Sequence, residues 1–265
     1  MLTDDVQIHG RSGQPVLLLP GGAETCDGFF PGLAEGLVAD PGCWVIVHDR
    51  PGTGASTAKG SLATAAADLA ALIAALGCGP VVVVGQSLGG AVAVLLAIEY
   101  PEVVAGLVLL DPTPINDARL CRQLDRTMGT FGAIASIPLG RTMMQALLRS
   151  SIRRKARRTQ LRPDCAEAID RLGDIDLTQL ITAVRGIAGI SANLDENRIP
   201  HRPAVVIAAD RKRGSAVTRA HTRLAAALAA PLVCWPDAQH HVHLSHPDET
   251  LAAVRDLIAR IAAPG

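Results

Sequence analysis

Ser87 lies in the run GQSLG, with a glycine two positions to either side of it. A serine hydroxyl is a poor nucleophile until a base removes its proton as it attacks. Histidine suits that task because its pKa lies near neutral pH. The chain has eight histidines, and four of them crowd into HHVHLSH at residues 240–246. A serine and a histidine brought together would carry out acyl transfer. The question is which elements could place them side by side.

Four valines precede the serine segment and an alanine- and leucine-rich run follows it, so Ser87 falls between a strand at 81–84 and a helix at 88–99. Small residues before and after the serine permit a sharp strand-to-helix turn that lifts the hydroxyl clear of the sheet at its carboxyl edge. The turn also sets Ser87 at a helix N-terminus, where unpaired N–H groups and the helix dipole favour a negative charge such as a tetrahedral oxyanion. The N–H of Leu88, directly after the serine, is then one oxyanion donor. A glycine-rich turn whose serine merely caps a helix is the plainer alternative. The strand before and the helix after it favour the reactive reading.

Other short apolar runs, at 16–19, 44–48, 107–110, 204–208 and 232–235, read as further strands. They lack period-two alternation, as expected of parallel strands covered on both faces. Helical spacing recurs at 61–76, 215–229 and 247–262, the last with Pro247 in its first turn. Strands alternating with helices predict an α/β fold with a doubly wound, mostly parallel sheet. The rhythm breaks between about 113 and 200, where helical patterns occur without a convincing strand. The expected organisation is therefore a core from 1–112 and 201–265 with a helical cap, 113–200, inserted between two strands.

Composition narrows the function. Hydrophobic residues make up 49% and charged ones 19%, ample for a large core. Twenty-five basic residues balance 25 acidic ones, which argues against a globally basic nucleic-acid binder. With three Phe, two Trp and one Tyr, base stacking is poorly supported. Six scattered cysteines without a C-x-x-C pair read as reduced thiols, and the N-terminus lacks the pattern of a signal peptide. The expectation is a cytoplasmic protein that spans no membrane and has neither nucleic acid nor membrane as partner.

Four segments, LLLPGGAE, HDRPGTGAST, GQSLGG and PDAQHHVHLSHPDE, follow one another in an order that resembles the α/β-hydrolase superfamily, in particular its serine-nucleophile members with a helical lid. The resemblance covers nearly the whole chain. It implies Ser87 as nucleophile and His240 as base, with His241, His243 and His246 as neighbours. It implies Gly22, or the adjacent Ala23, as the second oxyanion donor beside Leu88. Pro20 stands where the family usually has histidine, which costs the loop a side-chain prop but leaves its backbone donors. The segment 49–56 is implied as scaffold.

The third member departs from the family pattern. Its usual slot after strand 204–208 falls near Lys212, which cannot hold a protonated imidazole. Asp111, at the end of the strand GLVLLDPTP, and Asp210, about two residues early, are the two alternatives, with Asp111 favoured. Either keeps the order serine, acid, histidine. The acid would orient the imidazole and stabilise its charged form.

Within the insertion, Arg149, Arg153, Arg154, Lys155, Arg157, Arg158 and Arg162 form a basic cluster. A solvated helix face is the plain reading, attraction of an acidic substrate, acyl carrier or phosphorylated tail the sharper one, and a nucleic-acid or membrane patch the last. Met143, Met144, Leu147 and Leu148 are expected to pack on the core or line an aliphatic pocket. The expected activity is cleavage of a carboxylic ester or related small acyl substrate through an acyl-enzyme, with no metal and no organic cofactor. C–C bond hydrolysis, acyl transfer, cofactor-free perhydrolysis or a non-enzymatic binding role use the same framework, because fold does not fix chemistry.

Overall fold

The computed structural model describes residues 6–156, 161–173 and 175–263, with side chains left out at 148 and 151–156. The strands and helices run β1 (Val6–His9), β2 (Pro15–Leu19), α1 (Leu33–Ala39), β3 (Trp44–His48), α2 (Ala65–Leu76), β4 (Val81–Gln86), α3 (Leu88–Glu99) and β5 (Val104–Leu110). Five helices follow: α4 (Ala118–Ala135), α5 (Pro138–Ala156), α6 (Pro163–Leu172), α7 (Leu177–Val184) and α8 (Ile187–Ala192). The chain then completes the sheet with β6 (Ala204–Ala208), α9 (Ala216–Ala227), β7 (Leu232–Cys234), α10 (Val242–Ser245) and α11 (Pro247–Ala262).

The sheet has seven strands in the order β1-β3-β2-β4-β5-β6-β7. Every pairing is parallel except β1 with β3. All six strands expected from the apolar runs are present, and the architecture is the doubly wound one expected. β1 escaped the sequence reading because VQIH is short and only partly covered, the usual character of an edge strand. Helix α2 starts at Ala65 rather than 61, because residues 61–64 form a separate turn closed by Thr64 N–H donating to the Ser61 carbonyl at 3.2 Å. In the insertion, α7 and α8 are separated at Gly186, whose φ of 85° no right-handed helix admits.

Two cores explain the missing alternation. Leu17, Leu19, Val81, Val83, Leu107 and Leu109 pack on one face against α2 and α3. Val16, Leu18, Val82, Val84, Val108 and Leu110 pack on the other against α1 and α11. Both strand faces are thus apolar, and burial of this surface is the main stabilising term. Among the described residues no helix is long and apolar enough to cross a membrane, and the six cysteines are free.

Register fixes the carboxyl edge. Gln86 pairs with Leu110, and Leu110 with Ile207, so β4, β5 and β6 end level with one another. Ligands of open α/β sheets bind at this edge. Ser87 and Asp111 are the next residues. Ser87 N–H donates to the Leu110 carbonyl at 3.1 Å and Asp111 N–H to that of Ile207 at 2.6 Å, which locks both turns to the sheet.

Candidate active site

Ser87 sits at φ 49°, off the ordinary right-handed regions, between β4 and α3. Gly89 makes that bend possible. A β-carbon there would lie 2.4 Å from the carbonyl oxygens of both Leu19 and Pro20, backbone atoms that cannot step aside. The elbow is therefore pressed against the end of β2, the same loop that carries Gly22.

The Ser87 Oγ lies 3.1 Å from His240 Nε2, and His240 Nδ1 lies 2.5 Å from Asp111 Oδ2. With Nδ1 protonated and donating to the carboxylate, Nε2 presents its lone pair to the serine hydroxyl, the polarity a general base needs. Gln86 steadies the histidine loop by donating to the His240 carbonyl at 3.0 Å. Of the two acid candidates, Asp111 is the one bonded to His240. Asp210 turns away: its Oδ2 accepts from Asp237 N–H at 3.1 Å and its own N–H donates to Ala238 O at 2.7 Å.

Asp111 is 1% exposed and saturated with donors. Its Oδ1 accepts from Ala209 N–H at 3.0 Å, and Arg211 clamps both carboxylate oxygens, with Nη2 2.5 Å from Oδ2 and Nη1 bonded to Oδ1. Burial alone would raise the Asp111 pKa, but the hydrogen bonds from Arg211 and His240 overcome it and hold the carboxyl well below the usual range. Fully buried His221 braces the turn beyond, its Nε2 donating to Pro112 O at 2.8 Å. Arg211 was missed in the sequence. Its only signal was a cation beside the place where an acid was sought.

Gly22 and Leu88 line the same cavity as Ser87, whereas Ala23 packs into the core. The segment 49–56 is structural but closer to the site than its sequence suggested. Asp49 accepts from Cys26 N–H at 2.6 Å and Ala55 N–H at 2.7 Å. Arg50, 4% exposed, donates to the carbonyls of Pro20 and Gly21 at 2.9 Å and of Gly22 at 3.0 Å. This guanidinium supplies the prop that Pro20 cannot.

The remaining histidines separate by surroundings. His243 is packed on Phe29 and Phe30, and burial pushes its pKa well down. His246 stacks on Trp235 with ring centres 5.5 Å apart, while His241 meets the His240 ring edge-on. Among the described residues no group of three or more His, Cys, Asp or Glu converges as a metal site.

The cavity beside Ser87 encloses about 780 Å³. One wall is aliphatic, built from Leu124, Met128, Ile169, Leu172, Leu180 and Val184 on α4, α6 and α7; the opposite rim carries Asp210, Arg211, Asp237 and His241. Two aliphatic candidates are corrected here. Met143 is 58% and Leu147 63% exposed on α5, on neither core nor cavity. Met144 is half-buried, and the Leu148 side chain lies outside the described residues. So do the side chains of Arg153, Arg154 and Lys155 and the whole of Arg157 and Arg158. Of that basic cluster, Arg149 donates to the Gly173 carbonyl at 3.1 Å, and Arg162 pairs with Asp164 and Asp248, each at 2.7 Å.

Glu24 also faces this cavity, and its Oε2 is buried without a hydrogen-bond partner. Burial raises its pKa above the ordinary 4.5, with neighbouring Arg50 and backbone N–H groups opposing. A carboxyl raised in the native state binds its proton more tightly folded than unfolded. Its stabilising contribution is whole below pH 4.5 and is lost as pH climbs through the native value. Glu24→Gln should therefore gain melting temperature relative to the parent as pH rises from 4.5 toward neutrality. A difference that stays constant across that span in calorimetric scans would contradict the assignment.

Comparison with known proteins agrees with this architecture. A model of the alpha/beta hydrolase family matches residues 16–254. Lipase LipV of Mycobacterium tuberculosis is 39% identical over 121 residues, covering 45% of this chain and 45% of LipV. The sn-1-specific diacylglycerol lipase ABHD11 of Mus musculus is 38% identical over 89 residues, 33% of this chain and 29% of that enzyme. The aligned stretch thus spans less than half the length of either relative. The structure of a thermophilic esterase from Thermogutta terrifontis superposes with a TM-score of 0.74 at 23% identity, covering 97% of this chain and 93% of that one, a likeness of fold. With a family match running from the second strand into the last helix, the chain belongs to the alpha/beta hydrolase family of enzymes.

Proposed function

We propose that this hydrolase cleaves a carboxylic ester with an aliphatic acyl group through an acyl-enzyme on Ser87. The observation that carries the reading is the line of contacts Ser87–His240–Asp111 opening into an aliphatic cavity. Ser87 Oγ attacks the ester carbonyl while its proton passes to His240 Nε2, and Asp111 stabilises the resulting imidazolium. The N–H groups of Gly22 and Leu88 receive the oxyanion. On collapse the C–O bond breaks and the alkoxide leaves with the proton from His240. Water then attacks the acyl-enzyme, giving its proton to His240, and Ser87 departs with that proton as the carboxylic acid forms. The helices from residue 113 to 200 serve as a lid, since α4, α6 and α7 supply the aliphatic wall.

Two assays test this. A fluorophosphonate should label Ser87, and p-nitrophenyl esters from acetate to laurate should be hydrolysed, with kcat/KM rising as the acyl chain fills the aliphatic wall. Absence of labelling overturns the nucleophile. Labelling without hydrolysis of any ester replaces hydrolysis with acyl transfer to another acceptor.

Arg50 gives a further expectation. Because it holds the oxyanion loop through carbonyls and does not reach the cavity rim, Arg50→Met should lower kcat about 10- to 100-fold, less than loss of a direct oxyanion donor, while KM moves little. A raised KM at unchanged kcat would show instead that Arg50 shapes substrate binding alone.

A further inference from the structure

The zero net charge conceals a strong separation. Residues 118–160 hold ten of the 25 basic residues and, in Asp125, one of the 25 acidic ones. Helices α4 and α5 occupy Ala118–Ala135 and Pro138–Ala156 of it, and the remainder of the chain is correspondingly acidic. Arg119, Arg122 and Arg126 recur on one exposed side of α4 and line a shallow surface groove. Among the described residues no carboxylate pairs with any of these three.

The same segment exposes its apolar side chains. Leu139, Met143 and Leu147 follow at four-residue spacing along one face of α5 and are 79%, 58% and 63% exposed. Phe131, Ile134 and Ile137 add to them at the α4–α5 junction. These are six of the eight large exposed hydrophobic residues among those described. Grouped apolar exposure of this kind marks a contact surface. The inner side of α4 is already used, since Leu124 and Met128 face the cavity.

We infer that the outer face of α4 and α5 docks on an anionic lipid surface. Apolar side chains of α5 enter the acyl boundary while Arg119, Arg122 and Arg126 of α4 meet anionic headgroups, the pairing that holds basic amphipathic helices at membranes. A second copy of the chain fits poorly, because a twofold contact here would set two strongly cationic segments against each other. The proposed docking departs from the sequence expectation of no membrane partner. Its use, delivery of lipid-borne esters to the cavity beneath α4, rests on the ester-hydrolase reading.

Vesicle flotation tests it with the full chain. The protein should float with vesicles of phosphatidylcholine and phosphatidylglycerol, remain behind with phosphatidylcholine alone, and be released by high salt. Leu139→Glu with Met143→Glu, and separately Arg119→Glu with Arg122→Glu and Arg126→Glu, should each weaken binding about tenfold or more. Hydrolysis of a soluble p-nitrophenyl ester should be unchanged in both, which also shows that they fold. Failure to bind anionic vesicles, or binding indifferent to both sets, overturns docking and leaves the ester reading standing. Vesicle binding without ester hydrolysis does the reverse. A dimer in light scattering that either set abolishes, without vesicle binding, would assign the face to a second copy.

Discussion

Asp111→Asn is expected to lower kcat on a p-nitrophenyl ester by about four orders of magnitude, the loss seen when a triad carboxylate becomes an amide. Asp210→Asn should keep most of the activity. The asymmetry follows from the bonds each makes. Asp111 accepts the Nδ1 proton of His240 at 2.5 Å. An asparagine can offer its NH2 there, which favours the tautomer with Nε2 protonated and deprives Ser87 of its base. Among the described residues, the Asp210 carboxylate accepts only the backbone N–H of Asp237. The reverse ranking of the two variants would sink the assignment.

The Arg211 clamp bears on that experiment. Asp111→Asn also removes the partner of a guanidinium whose side chain is 29% exposed and can turn toward water. A melting curve on the variant separates lost chemistry from lost folding. Because Arg211 and His240 together keep the Asp111 carboxyl well below the usual range, it stays ionised through any ordinary assay. Titration of Asp111 should therefore add no limb to the pH–rate profile between pH 5 and 9.

Ser87→Ala should reduce kcat by about six orders of magnitude and abolish fluorophosphonate labelling. The double variant Ser87→Ala, Asp111→Asn should be no slower than Ser87→Ala alone. Groups that act as a unit lose their benefit together, because an oriented base without a nucleophile accelerates nothing. The residual rate over water measures what Gly22, Leu88 and substrate binding still supply. Additive losses in the double variant would mean that Asp111 acts independently of Ser87.

Much of the fold was readable because it depends on near neighbours. Valine and leucine runs of strand length mark β2 to β7, and β3, α3, β6 and α11 fall where the sequence placed them. Glycines at 85 and 89 mark the elbow because the constraint there is a close backbone approach that only a missing β-carbon satisfies. β1 and α1 were not legible, since neither carries a long apolar period. The outward-facing Met143 and Leu147 were misread because helical spacing reports that a face is apolar, not what covers it.

The sequence alone thus determined the α/β architecture and the placement of Ser87 in a strand-to-helix turn, both consequences of interactions within a few residues. Tertiary structure decided which carboxylate reaches His240, what Arg50 and Arg211 hold, and which face of α5 meets solvent. Ser87 and His240 are 153 positions apart, and Asp111 and His240 129 apart. Contacts at such separations depend on strand register and on the direction in which each loop leaves its strand. Asp111 and Asp210 both follow strand ends on neighbouring strands, so spacing cannot separate them. A hydrogen bond made across the sheet edge does.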